Sequence, residues 1–183
     1  MAVWIFVGIF ALVALWAAAI FNRLVRNRNL VLEGWSGIDV QLKRRYDLIP
    51  NLVETVKGYA GHEKETLAKV IELRNSASRA QTASEKAPIE NMLTQTLRQL
   101  FALAEAYPDL KANQNFLDLQ ARLTEIEEQI QFARRYYNGT ARDMNILVQS
   151  FPSNIIARSF GFTEVDYFEI ELATEREAPR VKF

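Results

Sequence analysis

The chain has 183 residues, 22 basic and 22 acidic, for a formal net charge of zero. That balance excludes the basic footprint of a nucleic-acid-binding domain. The lack of any cysteine excludes disulfides, thiol catalysis and thiolate metal sites. Seven glycines and five prolines are few for this length, which points to long regular elements and away from an all-β domain.

The first element runs from Val3 to Phe21, VWIFVGIFALVALWAAAIF, and carries no charged side chain. About nineteen residues at a 1.5 Å rise cover roughly 28 Å, close to the ~30 Å hydrocarbon core of a bilayer. A helix that is apolar all round is buried or spans a membrane. Trp4 lies near one end and Phe21 near the other, where rings meet headgroups, while Trp16 is deeper. The stretch therefore reads as a transmembrane helix. A signal peptide would have a basic segment before a shorter apolar run; here the basic residues Arg23, Arg26 and Arg28 follow it. With Lys43, Arg44 and Arg45 further on, the positive-inside rule puts this flank in the cytoplasm and the N-terminus outside. About 160 residues remain for one soluble domain.

From Asn29 to Tyr59 the apolar residues Val31, Trp35, Ile38, Leu42, Ile49, Val53, Val56 and Tyr59 fall mostly three and four apart, a helical stripe. Tyr46 or Arg45 closes the gap between Leu42 and Ile49. No breaker separates this stripe from Phe21, so the membrane helix is expected to continue into it or to bend gently near Asn27. Gly34 and Gly37, beside Trp35, weaken the helix locally and suit a close helix contact. Pro50 cannot donate to the carbonyl of Tyr46, so either the helix kinks there or a new one begins with Pro50 in its first turn; the kink is favoured because the stripe keeps its phase on both sides. Gly58 to Gly61 reads as a turn.

A second helix is expected from about His62 to Arg79, with Leu67, Val70, Ile71, the stem of Arg74 and Ala77 inward. The small, polar stretch Ala80 to Lys86 reads as a flexible linker, with Ser84 as a helix N-cap. A third helix then runs from about Pro88 to Glu105, with Ile89, Leu93, Leu97, Leu100 and Leu103 or Ala104 inward. Tyr107-Pro108-Asp109 ends it, and Asn113 caps the next helix.

The fourth helix, Asn113 to Ser150, carries the most regular pattern. Phe116, Leu123, Ile130, Tyr137, Met144 and Phe151 recur every seventh position, interleaved with Leu119, Ile126, Ala133, Thr140 and Leu147. A heptad sustained over about five repeats is a coiled-coil seam. Asn138-Gly139 often makes a hairpin turn, yet the seam keeps its phase through it, so the pair is read as helical. A short helix near Asn154–Ser159 and an extended segment through Phe160, Phe162, Tyr167, Phe168 and Ile170 should pack on the bundle or the membrane. The charged tail Ala173 to Phe183 reads as disordered.

The densest polar group is Arg45, Tyr46, Asp47, Pro50, Asn51 and Glu54. One reading makes it a docking or oligomer surface beside Pro50. The other makes it a set of internal caps and ion pairs that satisfy the carbonyl Pro50 leaves free. His62, the one histidine, reads as an exposed residue in a helix's first turn, since a zinc site needs three or four ligands. Glu125, Glu127 and Glu128 read as a solvated face, and Tyr136 and Tyr137 as packing residues. There is no phosphate-binding glycine loop and no nucleophile elbow. Neither a metal nor a cofactor is expected.

Several stretches resemble the LemA family of bacterial membrane proteins. They are RRYDLIPNLVETVKGYAGHE (44–63), AYPDLKANQNFLDLQ (106–120), ARRYYN (133–138), FPSNIIARSFGF (151–162) and YFE (167–169). Two positions depart from the family pattern, Met144 in place of an aromatic and Arg158 in place of a small residue. The resemblance implies an N-terminal membrane anchor with its N-terminus out, followed by a cytoplasmic bundle of long antiparallel helices. It implies no established activity; it links the family to membrane proteolysis and stress, and one branch to membrane invagination. The expected fold is therefore all-α: membrane helix 1–22, helical bundle 23–160, and an extended segment with a disordered tail, 161–183. The expected function is a non-enzymatic, single-pass scaffold of the bacterial inner membrane that self-associates and shapes or stiffens the bilayer. The alternative is an adaptor that docks a membrane enzyme such as a zinc metalloprotease. The expected partners are the lipid bilayer, further copies of the chain and a membrane protein, with no nucleic acid.

Overall fold

The computed structural model describes residues 1–169; Ile170 and the tail Ala173–Phe183 lie outside the described residues. Among the described residues six helices follow one another: α1 (Ala2–Tyr59), α2 (Lys64–Arg79), α3 (Ala83–Ala104), α4 (Pro108–Lys111), α5 (Gln114–Gln149) and α6 (Ser153–Ser159). Among the described residues there is no strand, and the fold is all-α. The described residues divide by contact into two units, Met1–Ile38 with Ala133–Tyr167, and Asp39–Phe132 with Phe168 and Glu169.

In the first unit α1 begins bare. Its apolar window is long enough to cross a membrane, and none of it is buried inside the protein. A core helix of a soluble protein would be covered, so exposure of this kind matches a lipid-facing helix. The inward stripe starts at Leu24 and returns at Val31 and Ile38, every seventh residue. Tyr137, Ala141, Met144 and Leu147 of α5 are buried in the same unit. The two helices approach closely at Gly34, where an added Cβ would lie 3.0 Å from the Cα of Tyr137. The Trp35 and Tyr137 rings meet beside it, 5.5 Å between centroids. Gly37 has open space instead, so only one of the two glycines serves the contact.

The segment after α6 is held to α5 by side chains in place of a strand ladder. The buried Asn145 donates to the Val165 carbonyl at 2.9 Å and accepts from the Val165 N–H at 2.8 Å. Tyr137 adds a bond from its hydroxyl to the Asp166 carbonyl at 2.8 Å. One amide side chain thereby satisfies both backbone groups of one residue, as a neighbouring strand would. At the C-terminus of α5, the Ser153 hydroxyl lies 2.7 Å from the carbonyl of Leu147, one of the acceptors every helix end leaves open, and 3.0 Å from that of Ser150.

In the second unit the core is built by Leu42, Ile49, Leu52, Val53 and Val56 of α1, Leu67, Val70 and Leu73 of α2, Leu93, Leu97 and Leu100 of α3, and Phe116, Leu123 and Ile130 of α5. Each such side chain contributes about 1.5–3 kcal/mol on leaving water. Arg45 bonds Glu127, and Tyr59 bonds Asn113, at the N-terminus of α5. An advance along α1 is matched by an equal retreat along α5, so the two helices run antiparallel here. Pro50 does not end α1. The carbonyl it cannot serve, that of Tyr46, accepts from the Arg74 Nε–H of α2 at 3.2 Å.

Local chemistry accounts for the remaining boundaries. The expected linker at Ala80–Lys86 is only a short loop, because α3 starts at Ala83. Its cap is Thr82, in a capping box with Glu85, and not Ser84. The box draws helix further towards the N-terminus than Pro88 alone suggests. Pro108 does not merely stop α3; it starts α4 in the first-turn position that tolerates proline. Asn113 caps α5, its side-chain oxygen accepting from the Phe116 N–H at 3.0 Å. The helix passes through Asn138-Gly139. The seam is buried at Phe116, Leu123, Ile130, Tyr137 and Met144, but Phe151 falls beyond the helix and is exposed.

Candidate functional site

The most concentrated polar chemistry of the second unit centres on Arg45. It lies on α1 in the stripe position between Leu42 and Ile49, and it is 1% exposed. Its NH1 donates to the Thr94 hydroxyl of α3 at 3.0 Å and to Glu127 of α5 at 2.7 Å. Its NH2 is ion-paired with Glu90 of α3, which is 0% exposed. Tyr46 donates its hydroxyl to the other oxygen of Glu90. Three helices thus converge on one guanidinium, whose planar fork matches carboxylates well.

Burial is the largest influence on Arg45 and draws its pKa down, while the charge of Glu127 opposes it. The guanidinium remains a cation regardless, since arginine is not deprotonated in proteins. Burial likewise pushes the Tyr46 phenol up to about 12, with the Arg45 charge pulling the other way. Tyr46 is therefore a neutral donor at physiological pH. Nothing in this arrangement is a nucleophile set beside a base. Its physical product is registration: a buried ion tolerates only the alignment that pairs it.

A cleft of about 220 Å³ opens beside the cluster, lined by Arg45, Thr94, Arg98, Phe101, Glu127 and Glu128 among others. Among the described residues no three His, Asp or Glu side chains gather as a metal site would require. His62 is exposed. Its neighbour Glu63 accepts from the Tyr107 hydroxyl at 3.1 Å, and that bond raises the Tyr107 pKa.

The polar group on α1 splits in two. Arg45 and Tyr46 are interior and belong to no surface, because both point along the buried stripe. Asp47, Pro50, Asn51 and Glu54 face solvent. Asp47 joins Arg44, Arg122 and Glu125 along a second, shallower cleft. Glu54 sits 3.6 Å from Lys57 in an exposed pair. The carbonyl of Tyr46 is satisfied from outside the group, by Arg74. Glu127 is no part of a solvated face, since it turns in to Arg45, whereas Glu125 and Glu128 are exposed.

Glu90 and Thr94 have a signal in the sequence. Lys86, Glu90 and Thr94 stand four residues apart on the inward face of α3, among Ala83, Leu93 and Leu97. Polar residues in an apolar stripe mark buried partners. Lys86 reaches Asp39 on α1 at 2.6 Å.

The membrane side of the first unit is marked by Val3 and Phe21, the ends of the apolar stretch, and by the exposed Arg23, Arg26 and Arg28 that follow. The Phe21 ring does not end in solvent. It packs on Phe160 and Phe162, with centroids 4.8 and 5.8 Å apart.

The LemA family model matches residues 34–183. The chain is similar to Protein LemA of Metamycoplasma hominis, 27% identical, with 81% of this chain and 68% of that protein covered. It is also similar to Magnetosome protein MamQ 2 of Paramagnetospirillum magneticum, 24% identical, with 73% of this chain and 59% of that protein covered. Magnetosome protein MamQ of Magnetospirillum gryphiswaldense is 22% identical, with 73% and 58% covered. The match therefore spans less than two thirds of the magnetosome proteins.

Proposed function

The chain belongs to the LemA family of membrane-associated proteins, and from that premise we propose that it is a non-enzymatic scaffold. It is held in the bacterial inner membrane by residues 3–21, with its N-terminus outside and its helical bundle in the cytoplasm. It associates laterally with copies of itself and so shapes or stiffens the bilayer. The observation that carries this reading is α1 itself. One helix bears the wholly exposed apolar window and then, without a break, the buried stripe of the bundle. An anchor on a flexible linker would transmit no force to the membrane; a continuous helix does. The similarity to proteins named for the magnetosome agrees with a role in membrane organisation.

Support for lateral association comes from apolar side chains left bare outside the window, among them Leu32 and Val40 on α1 and Ile146 on α5. The heptad seam of α5 gives little such support, because Phe116, Leu123, Ile130, Tyr137, Met144 and Leu147 are buried within the chain. The test is the mass distribution of the full-length protein in lipid nanodiscs and mild detergent over a wide concentration range. Oligomers that grow with concentration are expected; a monomer at every concentration sinks the scaffold. A probe at Glu128→Cys that reacts with membrane-impermeant reagent outside intact cells sinks the orientation.

The second reading, an adaptor for a membrane enzyme such as a zinc metalloprotease, is favoured by the exposed row Asp47, Pro50, Asn51 and Glu54. Charge reversal at Asp47 and Glu54 then abolishes capture of that enzyme while leaving self-association intact. Proximity labelling that recovers only the chain itself counts against this reading.

A further inference from the structure

The segment between α5 and the Asn145 clasp has a bare apolar side. Phe151, Ile155 and Phe160 are 80, 54 and 62% exposed. On α6 the small side chains Ser153 and Ala157 are buried, whereas Ile155 and Arg158 are exposed. The helix therefore covers its small face and presents its large one. Phe160, just past its end, rests on the ring of Phe21, which Phe162 also meets.

Phe21 is the last apolar residue of the membrane stretch, and exposed Arg23, Arg26 and Arg28 follow it. Its ring stands where hydrocarbon gives way to headgroups. A ring 4.8 Å from it stands at the same depth. We propose that α6, with Phe151 and Phe160, is a foot lying in the membrane–water interface beside the span. Ile155 and Phe160 enter the edge of the acyl chains, and Arg158 reaches the phosphates. This is the usual division of labour in an interfacial helix, with apolar side chains below and a cation at headgroup level. The occupant of this face is lipid because the face continues directly from the end of the lipid-facing helix. The foot gives the first unit two points of attachment, so the span cannot rotate freely about its own axis. This inference rests on the reading of residues 3–21 as a span.

The absence of native cysteine makes the test direct. Single substitutions Ile155→Cys, Phe160→Cys, Val13→Cys and Glu128→Cys are made in the full-length protein. Each carries a nitroxide and is reconstituted into phosphatidylethanolamine–phosphatidylglycerol vesicles, with helicity checked by circular dichroism. Collision rates with oxygen and with a water-soluble nickel chelate are then compared. The expected result has Val13 reached by oxygen and Glu128 by nickel. Ile155 and Phe160 then show a severalfold higher oxygen-to-nickel ratio than Glu128. If Val13 behaves this way but Ile155 and Phe160 match Glu128, the foot is overturned and the span survives. If both are shielded from oxygen and nickel alike, protein covers them and the foot is overturned in favour of a second copy. If Val13 itself is reached by nickel, the span is lost and the foot with it.

Discussion

The two units hold their helices together by different means. In the first, the contacts that join α5 to its neighbours include a ring pair at Trp35 and Tyr137, and an amide clasp from Asn145 to Val165. In the second, a buried arginine is paired with two carboxylates, Glu90 in the core and the partly exposed Glu127. Neutral bonds stabilise modestly and break modestly. A buried ion adds little net stability when paired, but an unpaired one is severely destabilising. The second unit is therefore the one whose register is policed, since any slip of α1 against α3 or α5 strands a charge.

Truncation at the cluster is expected to have the largest effect. Arg45→Ala leaves Glu90 buried without its cation and lowers stability by about 3–5 kcal/mol. The double variant Arg45→Met with Glu90→Met recovers most of that loss, as seen in denaturant unfolding of the detergent-solubilised chain. If the double variant is no better than the single one, register policing by charge is wrong. Next comes alkaline pH. The folded Tyr46 pKa is raised to about 12 from an ordinary 10. The associated stability is thus complete below pH 10 and is lost as pH rises through 12, by up to roughly 3 kcal/mol. Tyr46→Phe should remove that part of the pH dependence, visible in melting temperatures taken between pH 9 and 12.

The first unit should respond less. Gly34→Val drives a side chain against the Tyr137 backbone and is expected to cost about 1–3 kcal/mol by overpacking. Gly37→Ala, with open space around it, is expected to be neutral or slightly stabilising, and the pair of melts measures the difference directly. Smallest of all, Asn145→Ala removes the clasp on Val165 and should lower stability by roughly 1–2 kcal/mol. Hydrogen exchange at the Val165 amide should rise with it. An effect as large as that of Arg45→Ala would erase the contrast between the units.

Much of the helical architecture is legible in the sequence because helix is a local, periodic state. The phase of the stripe across Pro50 and across Asn138-Gly139 foretells continuous helices, and Asn113 is recognisable as a cap from its type and place. Competing caps are harder to rank: Thr82 prevails over Ser84 because only Thr82 has a glutamate three residues on to complete the box. The polar site is legible only in part. Arg45 and Tyr46 sit on the stripe, yet they also sit in a run of charged residues, and charge is ordinarily a mark of surface.

What the sequence determined by itself are properties carried along one strand of chain. These are an N-terminal rod too apolar for water, the helical period of each segment, and the seven-residue repeat of α5. What the tertiary structure decided is which surface covers which. It turned that repeat inward on the chain's own helices, drew Glu90 and Glu127 onto Arg45, and brought Phe160 to the end of the membrane rod at Phe21. The reason is physical. Periodicity specifies the face of a helix that must leave water, but the identity of what meets that face depends on residues far away in the chain.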